Sequence, residues 1–158
     1  MKLKKLFLVF FLFPLCMHAE EIPVLLFVST YDQDDSLGFN LVESLPALVY
    51  GFIIDGKVTL WDSPKKEDKI EPKTLLQIEK YAQTSFKVTN QLFIYEKWIK
   101  DRKNFSIETV GFYFSSKKPD GEEVAYGYVD YAELDSVLEF TLIPSNADGN
   151  CNMTFGDA

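Results

Sequence analysis

The sequence predicts an α+β domain in which a mostly antiparallel sheet of about five strands carries two to three packed helices. In the first half of the chain, apolar residues recur at intervals of three and four, as they do along one face of an amphipathic helix. In the second half, segments rich in aromatic and β-branched residues alternate with turn signals, which is typical of antiparallel strands. The 158 residues, 47% of them hydrophobic, suffice for a single packed domain, which we place at residues 20–144.

The N-terminal residues 1–19 have the features of a cleaved signal peptide. Three of the first five residues are lysines, and the apolar run that follows is too short to span a bilayer. Cleavage after Ala19 would remove these lysines and change the net charge from −8 to −11. We therefore expect export to the periplasm. We expect no lipid anchor on Cys16, because the residue before it, Leu15, is not small.

Loss of this leader would also remove several kinds of chemistry. The only histidine, His18, and one of the two cysteines, Cys16, lie in the leader. The mature chain would therefore hold one cysteine, Cys151, and no histidine. We therefore expect no Ser-His-Asp triad, no Cys-His pair, no His-ligated zinc site and no internal disulfide. The negative charge argues against binding to nucleic acid or anionic lipid, since proteins bind both through lysine and arginine.

The first half of the domain predicts a strand followed by a helix. Ile22–Ser29 is a continuous apolar run with β-branched members, which is typical of a buried strand. From Leu41 to Ile54 the apolar residues follow helical spacing. Because proline is tolerated only in the first turn of a helix, Pro46 predicts that this helix begins near Ser44. Gly56 would end it.

Three further elements are predicted before the middle of the chain. Val58–Trp61 reads as a short strand, and the charged segment Asp62–Glu71 reads as a loop. A second helix is predicted from Pro72 to Gln83, since proline suits the first position of a helix.

The second half predicts four strands and a third helix. Turns are expected at Asp101–Asn104 and at Pro119–Gly121, where proline presets one torsion and glycine permits a positive one. A short helix at Ala132–Glu139 and a strand-like Phe140–Ile143 would follow, and then a flexible tail at residues 145–158. The four predicted strands are Phe86–Val88, Gln91–Ile99, Phe105–Ser115 and Glu123–Tyr131.

The segment after the first strand has the oxygen spacing of a calcium-binding loop. Asp32, Asp34, Ser36 and Glu43 would stand at the first, third, fifth and twelfth positions of such a loop. However, Leu37 occupies the sixth position, where glycine normally permits the sharp turn. The alternative is an acidic, solvated loop. Apart from this calcium hypothesis, no cofactor is expected.

Glu96 is the one acidic residue that stands alone in an apolar strand, between Ile94 and Trp98. A carboxylate in such surroundings can have a raised pKa and donate a proton. The alternative is an ordinary pairing with Lys97 or Arg102 at the edge of a strand.

The density of aromatic residues in the strands suggests a surface for a protein partner. Tyrosine and tryptophan bring a large contact area at a low cost in entropy. Tyr126 and Tyr128 are two residues apart, so we expect them to share one face of the sheet. The alternative is ordinary core packing. The candidate partner-binding residues are Trp98, Asp101, Tyr126, Tyr128 and Tyr131.

Four segments have residue patterns of one known family. Leu45–Asp62 is similar to its helix, Gly-Lys turn and short strand, and Tyr95–Asp101 is similar to its acidic-Trp-aromatic-aromatic-Asp run. Phe105–Phe114, with Gly111, is similar to the strand that comes next, and Ala125–Leu138 is similar to its aromatic strand and short closing helix. Together these segments resemble the GldN/PorN family of gliding motility and type IX secretion in Bacteroidetes.

The resemblance implies a non-enzymatic protein–protein interaction module in the periplasm, peripheral to the outer membrane. Family members assemble into a ring with a lipoprotein partner of the GldK or PorK type. The chain lacks the family's Cys-Pro, its Phe-Trp pair and its long C-terminal extension, so it would be a short, divergent member. A second copy of the chain is an alternative partner. The alternative class of function is a periplasmic or secreted carboxylate-based hydrolase, or a sugar- or calcium-binding module.

Overall fold

The computed structural model describes residues 20–31, 36–101 and 104–138, with the backbone alone at residues 36–40 and 136. The predicted signal peptide, the predicted tail and the strand predicted at Phe140–Ile143 lie outside the described residues, as do Asp32 and Asp34.

The described chain forms one antiparallel sheet with three α-helices. The strand order is β1-β4-β5-β6-β2-β3, and every pair of neighbours is antiparallel. This arrangement confirms the predicted α+β class, with one short strand, β3, added inside the segment that was predicted to be a loop. The elements in chain order are β1 (Glu20–Ser29), α1 (Ser36–Ile54), β2 (Leu60–Trp61), β3 (Lys69–Ile70), α2 (Pro72–Ala82), a 3₁₀ helix (Phe86–Val88), β4 (Gln91–Asp101), β5 (Asn104–Lys117), β6 (Glu123–Asp130) and α3 (Tyr131–Leu138).

Helix α1 begins eight residues before the predicted start and contains Pro46 in its interior, so the predicted start near Ser44 is wrong. Its inward side chains, among them Val42, Leu45 and Val49, have no exposed surface. Burial contributes about 1.5–3 kcal/mol for each such side chain, which together exceeds the cost of about 3 kcal/mol for an interior proline. No helix in the described part of the chain is long and apolar enough to cross a membrane.

Strand β1 was predicted to be buried, and this prediction is wrong. It forms an edge of the sheet and pairs with β4 alone. Leu25 and Phe27 are 54% and 52% exposed. The continuous apolar run is therefore half uncovered, because an edge strand has a neighbour on one side only and the helices cover only part of one face.

The predicted strand Phe86–Val88 is a 3₁₀ helix instead. The Glu79 carboxylate accepts hydrogen bonds of 2.8 Å from the Phe86 backbone N–H and from the Ser85 hydroxyl. These bonds turn the chain inward at the end of α2 and bury the Phe86 ring completely. The hydrophobic sequence is explained by this burial and not by strand pairing.

Strand β6 contains a bulge. Its pairing with β5 shifts register between Phe114 and Ser115, which leaves Tyr126 as an extra residue. A bulge breaks the two-residue alternation of side chains. The Tyr126 ring therefore faces the helices, 5.5 Å from the Phe86 ring, whereas Tyr128 lies on the other face of the sheet. The prediction that the two tyrosines share a face is wrong.

The core lies between the helices and one face of the sheet. Helices α1, α2 and α3 each contribute completely buried residues, among them Leu45, Leu75 and Leu134. The strands contribute residues from a single face, which include Leu92 and Phe112. The other face of the sheet contributes nothing to this core cluster, and we call it the open face.

Candidate functional site

A row of five aromatic side chains crosses the open face. Its members stand opposite one another on β1, β4, β5, β6 and β2. The Phe27 and Phe93 rings are 5.0 Å apart, and the Phe93 and Tyr113 rings are 6.2 Å apart. Cross-strand neighbours of this kind stabilise a sheet and hold each ring in place. We call these residues the aromatic row: Phe27, Phe93, Tyr113, Tyr128 and Trp61.

One end of the aromatic row is covered by the loop between β2 and β3. Lys66 in this loop forms an ion pair with Asp130, which follows Tyr128 on the open face. Tyr128 is only 1% exposed, and Trp61 Nε1 is buried without a hydrogen-bond partner among the described residues. At this end of the row Tyr128 is therefore buried and Trp61 is partly buried.

The other end of the row is exposed. Phe93 and Tyr113 are partly buried, and Phe27 at the β1 edge is 52% exposed. Leu25, two residues earlier on the same face, is 54% exposed. The row therefore runs from a buried end on β2 and β6 to an accessible apolar end on β1, and the accessible end is the part that a partner can contact.

Tyr128 is held by two acceptors. Its hydroxyl lies 3.1 Å from the Val110 carbonyl oxygen and 3.1 Å from Asp130 Oδ1, so its one proton is shared between them. Burial raises the pKa of the Tyr128 phenol well above its usual range, and the negative charge of Asp130 raises it further. Burial also raises the pKa of Tyr113, with smaller contributions from Tyr95 and Asp62.

Beyond the row, the open face is acidic. Glu21, Asp101 and Glu108 lie on this face of the extended β4–β5 hairpin and of its neighbour β1. One lysine, Lys97, stands among them, and its Nζ is 4.0 Å from Glu21 Oε2. Among the described residues of this region, carboxylates therefore outnumber cations, and a partner with basic groups beside an apolar surface would match this pattern. Arg102 and Lys103, in the hairpin turn, lie outside the described residues.

A second apolar patch lies on the opposite side of the same hairpin. Ile22, Trp98 and Ile107 stand opposite one another on β1, β4 and β5, and the Phe105 ring is 5.6 Å from the Trp98 ring. We call these four residues the hairpin patch. Trp98 Nε1 donates a 2.7 Å hydrogen bond to Glu96 Oε2. Glu96 is thus partly buried and hydrogen-bonded to Trp98, whereas Lys97, one of its two predicted partners, points to the other face of the sheet. The other, Arg102, lies outside the described residues.

The structure separates the five predicted partner-binding residues. Trp98 lies in the hairpin patch and Asp101 is exposed at the hairpin tip, while Tyr128 belongs to the buried end of the aromatic row. Tyr126 is completely buried in the core, and Tyr131 is partly buried with its ring 6.1 Å from that of Phe112. The five predicted residues do not include Phe27, Phe93, Tyr113 and Trp61, because only the order of the strands brings these four together.

Two of the four predicted calcium ligands, Ser36 and Glu43, lie in α1 and not in a loop. They are seven residues apart in sequence, about 10 Å along the helix axis. Asp32 and Asp34 lie outside the described residues. Within residues 20–31, 36–101 and 104–138, no group of three or more His, Cys, Asp or Glu residues could hold a metal ion.

No protein-family model matches the chain, and no curated protein matches it significantly. Membership in the GldN/PorN family stays a prediction from residue patterns. The geometry of the open face is therefore the basis for the function proposed next.

Proposed function

We propose that the protein is a non-enzymatic module that binds another protein through the open face of its sheet. One observation carries this proposal: the aromatic row spans five strands and ends in exposed Phe27 and Leu25, with no helix of the described chain packed over it. Contiguous exposed apolar surface is typical of a binding site, and aromatic residues supply most of the energy at such sites.

The buried end of the row supports the exposed end. Because Tyr128 is buried and hydrogen-bonded and Trp61 is partly buried, the rings that adjoin them are already held in position before a partner arrives. Binding to a rigid surface loses less side-chain entropy than binding to a mobile one. Such a sheet presents a fixed aromatic surface to a partner, and binding of this kind requires no catalytic group.

The charges around the row indicate the kind of partner. Among the described residues of this part of the face, Glu21 and Glu108 stand with one lysine, Lys97, and this excess of carboxylate favours a partner that surrounds an apolar contact with lysine or arginine. The resemblance to GldN/PorN would make this partner a lipoprotein of the GldK or PorK type, at the periplasmic side of the outer membrane, in a type IX secretion or gliding-motility ring. A second copy of this acidic chain would place like charges together, so we favour a different protein.

The experiment places a photo-cross-linking amino acid at position 25 or, in a separate strain, at position 105 in the native host and identifies the captured protein. The purified partner is then titrated against the wild type and against two matched variants. Phe27→Ser alters the aromatic row, and Phe105→Ser alters the hairpin patch, where the exposed fraction is similar, 58% against 52%. We expect Phe27→Ser to weaken binding about tenfold or more, since an aromatic anchor contributes over about 1 kcal/mol, and Phe105→Ser to change it less than about twofold.

Three results would overturn the proposal. The first is equal loss in the two variants, and the second is cross-linking only from position 105. The third is a captured protein that proves to be this chain itself and forms a dimer in solution. As a further check, Glu108→Lys should slow association with a basic partner, and the difference from the wild type should shrink as salt is added.

A further inference from the structure

The β1 edge of the sheet has unpaired backbone groups over its apolar half. The Thr30 N–H donates a 3.1 Å hydrogen bond to the Asn90 carbonyl oxygen, and the register of β1 against β4 continues without a bulge from there back to Glu20. Since alternate residues of an antiparallel strand bond to the same neighbour, the even-numbered residues of β1 bond to β4. Leu25 and Phe27 therefore direct their N–H and C=O groups away from β4, to a side where no strand of the described chain lies.

Pro23 supports this alternation independently. Proline has no backbone N–H, so within a sheet it is found where that group would face solvent at an edge. Pro23 is two residues before Leu25 in the same strand, so it belongs to the set whose backbone groups face outward. The free N–H donors of the apolar half therefore begin at Leu25, and Ser29, which is only 6% exposed, ends the accessible length.

Apolar side chains are exposed on both sides of this edge. Leu25 and Phe27 are exposed on the open face, while Ile22 and Leu26, which point to the helix side of the sheet, are 42% and 40% exposed. A partner that lies flat on the open face would cover only the first pair. A strand added at the edge would cover both pairs, because its own side chains alternate between the two faces of the sheet.

The other edge of the described sheet is protected against pairing. Its strand, β3, is two residues long, and one of the two is Lys69. A short edge strand and an edge lysine are two of the ways in which sheets avoid pairing with another chain. In contrast, Leu25–Ser29 contains no charged residue, no proline and no bulge, so the β1 edge can accept a further strand.

We propose that a partner protein adds an extended segment to the β1 edge as a further strand, with its backbone hydrogen-bonded to Leu25 and Phe27. This inference rests on the proposed function and specifies how that partner binds. Glu20 and Glu21 are exposed at the start of β1. The segment that fits is therefore apolar and carries lysine or arginine at the end that lies beside these glutamates.

Two other occupants of the edge match its charges less well. Residues 139–158 of the chain contain three acidic residues and no lysine or arginine, so they offer Glu20 and Glu21 no opposite charge. A second copy of the chain carries the same net charge of −8, so repulsion opposes its approach. Both occupants are tested below.

Amide hydrogen exchange of the full chain, followed for each residue by ¹H–¹⁵N spectroscopy, tests the edge without any partner. We expect the Leu25 and Phe27 amides to exchange at least about tenfold faster than the amides of Leu26 and Val28, because only the latter two bond to β4. Equal protection of the four amides would overturn the proposal, since another part of the chain or a second copy would then already pair with this edge.

The probe for an added strand is a synthetic peptide in which three Thr-Val pairs are flanked at each end by two lysines, so that it can pair in either direction. Its matched control has glutamate in place of every lysine. We expect the lysine peptide to slow exchange of the Leu25 and Phe27 amides in a saturable way, and the glutamate peptide to bind at least about fivefold more weakly. Absence of protection by the lysine peptide, or equal binding of the two peptides, would overturn the proposal.

Proline at position 25 separates the contribution of the backbone from that of the side chain. Leu25→Pro removes the outward N–H, whereas Leu25→Ala shortens the side chain and keeps that N–H. Because neither variant breaks a hydrogen bond to β4, we expect the two to have similar melting temperatures. Leu25→Pro should bind the lysine peptide at least about tenfold more weakly than Leu25→Ala. Equal affinities would show that the side chain and not the backbone edge binds the peptide, which would overturn the proposal.

The same variants separate a failure of this inference from a failure of the proposed function. If the captured partner loses affinity for Phe27→Ser but binds Leu25→Pro and Leu25→Ala equally, then it contacts the open face alone. The added strand is then wrong, and the proposed function stands. If the lysine peptide protects the edge but Phe27→Ser and Phe105→Ser weaken partner binding equally, then the proposed function is wrong and the edge remains a site for an extended segment.

Discussion

Tyr128 fills the space that a side chain at residue 111 would need. A Cβ atom on Gly111 would stand 2.2 Å from the Tyr128 hydroxyl oxygen and 2.5 Å from the Val129 carbonyl oxygen. Both distances are far below van der Waals contact, and the carbonyl belongs to the backbone of the paired strand, which cannot move away. Because Gly111 has no side chain, the Tyr128 ring can lie across β5 at the covered end of the aromatic row.

Gly111→Ala should destabilise the protein by about 2–4 kcal/mol, because the new methyl group must displace both the Tyr128 ring and strand β6. The free energy of unfolding in urea measures this change. The control is Gly51→Ala, an exposed position in α1 with no atom within 4 Å of the new Cβ. That substitution should stabilise the protein by about 0.5–1 kcal/mol, since alanine suits a helix interior better than glycine. Similar losses in the two variants would contradict the assignment.

The Tyr128 phenol predicts a loss of stability at alkaline pH. Its pKa in the folded protein is raised above the unfolded value of about 10, first by burial and then by Asp130. The folded state therefore holds the proton more tightly, so the stabilisation is complete below about pH 10 and is lost as the pH rises toward the folded pKa. Tyr128→Phe should make the fall above pH 10 shallower by about 1.4 kcal/mol per pH unit. Urea unfolding between pH 8 and 11.5 would show it, and parallel curves for the two proteins would contradict it.

Glu79, the one acidic residue of α2, organises the turn that follows the helix. Its carboxylate accepts hydrogen bonds from the Phe86 N–H, the Ser85 hydroxyl and, at 3.2 Å, the Tyr50 hydroxyl. Glu79→Ala leaves a backbone donor unpaired and should cost about 2–3 kcal/mol, whereas Glu79→Gln keeps an acceptor and should cost under about 1 kcal/mol. Glu71→Ala, which alters an exposed ion pair with Lys69, should change stability by at most about 0.5 kcal/mol. Equal losses of stability in Glu79→Ala and Glu71→Ala would show that the three hydrogen bonds to Glu79 do not stabilise the turn.

Local signals predicted some elements well, and non-local pairing explains the failures. Helix α2 was predicted at Pro72–Gln83 and observed at Pro72–Ala82, because proline at its first position is a local signal. In contrast, the aromatic row joins Phe27 to Trp61 through three intervening strands, so its existence depends on strand order. The bulge that turns Tyr126 inward depends on the register of β5 against β6, which the spacing of residues in one strand cannot show.

Lys66 has a left-handed backbone conformation, with φ of 58°, at the point where the covering loop reaches the sheet. That conformation costs about 1 kcal/mol or more for a residue with a Cβ, and the ion pair between Lys66 and Asp130 offsets part of this cost. Lys66→Met retains the unfavourable left-handed backbone but loses the ion pair, so the loop should open and expose Trp61. Lys66→Gly loses the same ion pair but relieves the backbone, so it should be more stable than Lys66→Met by about 1 kcal/mol.

Acrylamide quenching of Trp61 fluorescence, in a Trp98→Phe background, measures how far the loop opens in each variant. We expect quenching to rise in Lys66→Met and to rise less in Lys66→Gly, because glycine keeps the loop in its left-handed turn at lower energy. Lys57→Met serves as the control, since Lys57 lies outside the loop and pairs with Asp55 on the exposed surface. If Lys66→Met leaves Trp61 as protected as Lys57→Met does, then packing of the loop and not the ion pair covers the buried end of the aromatic row.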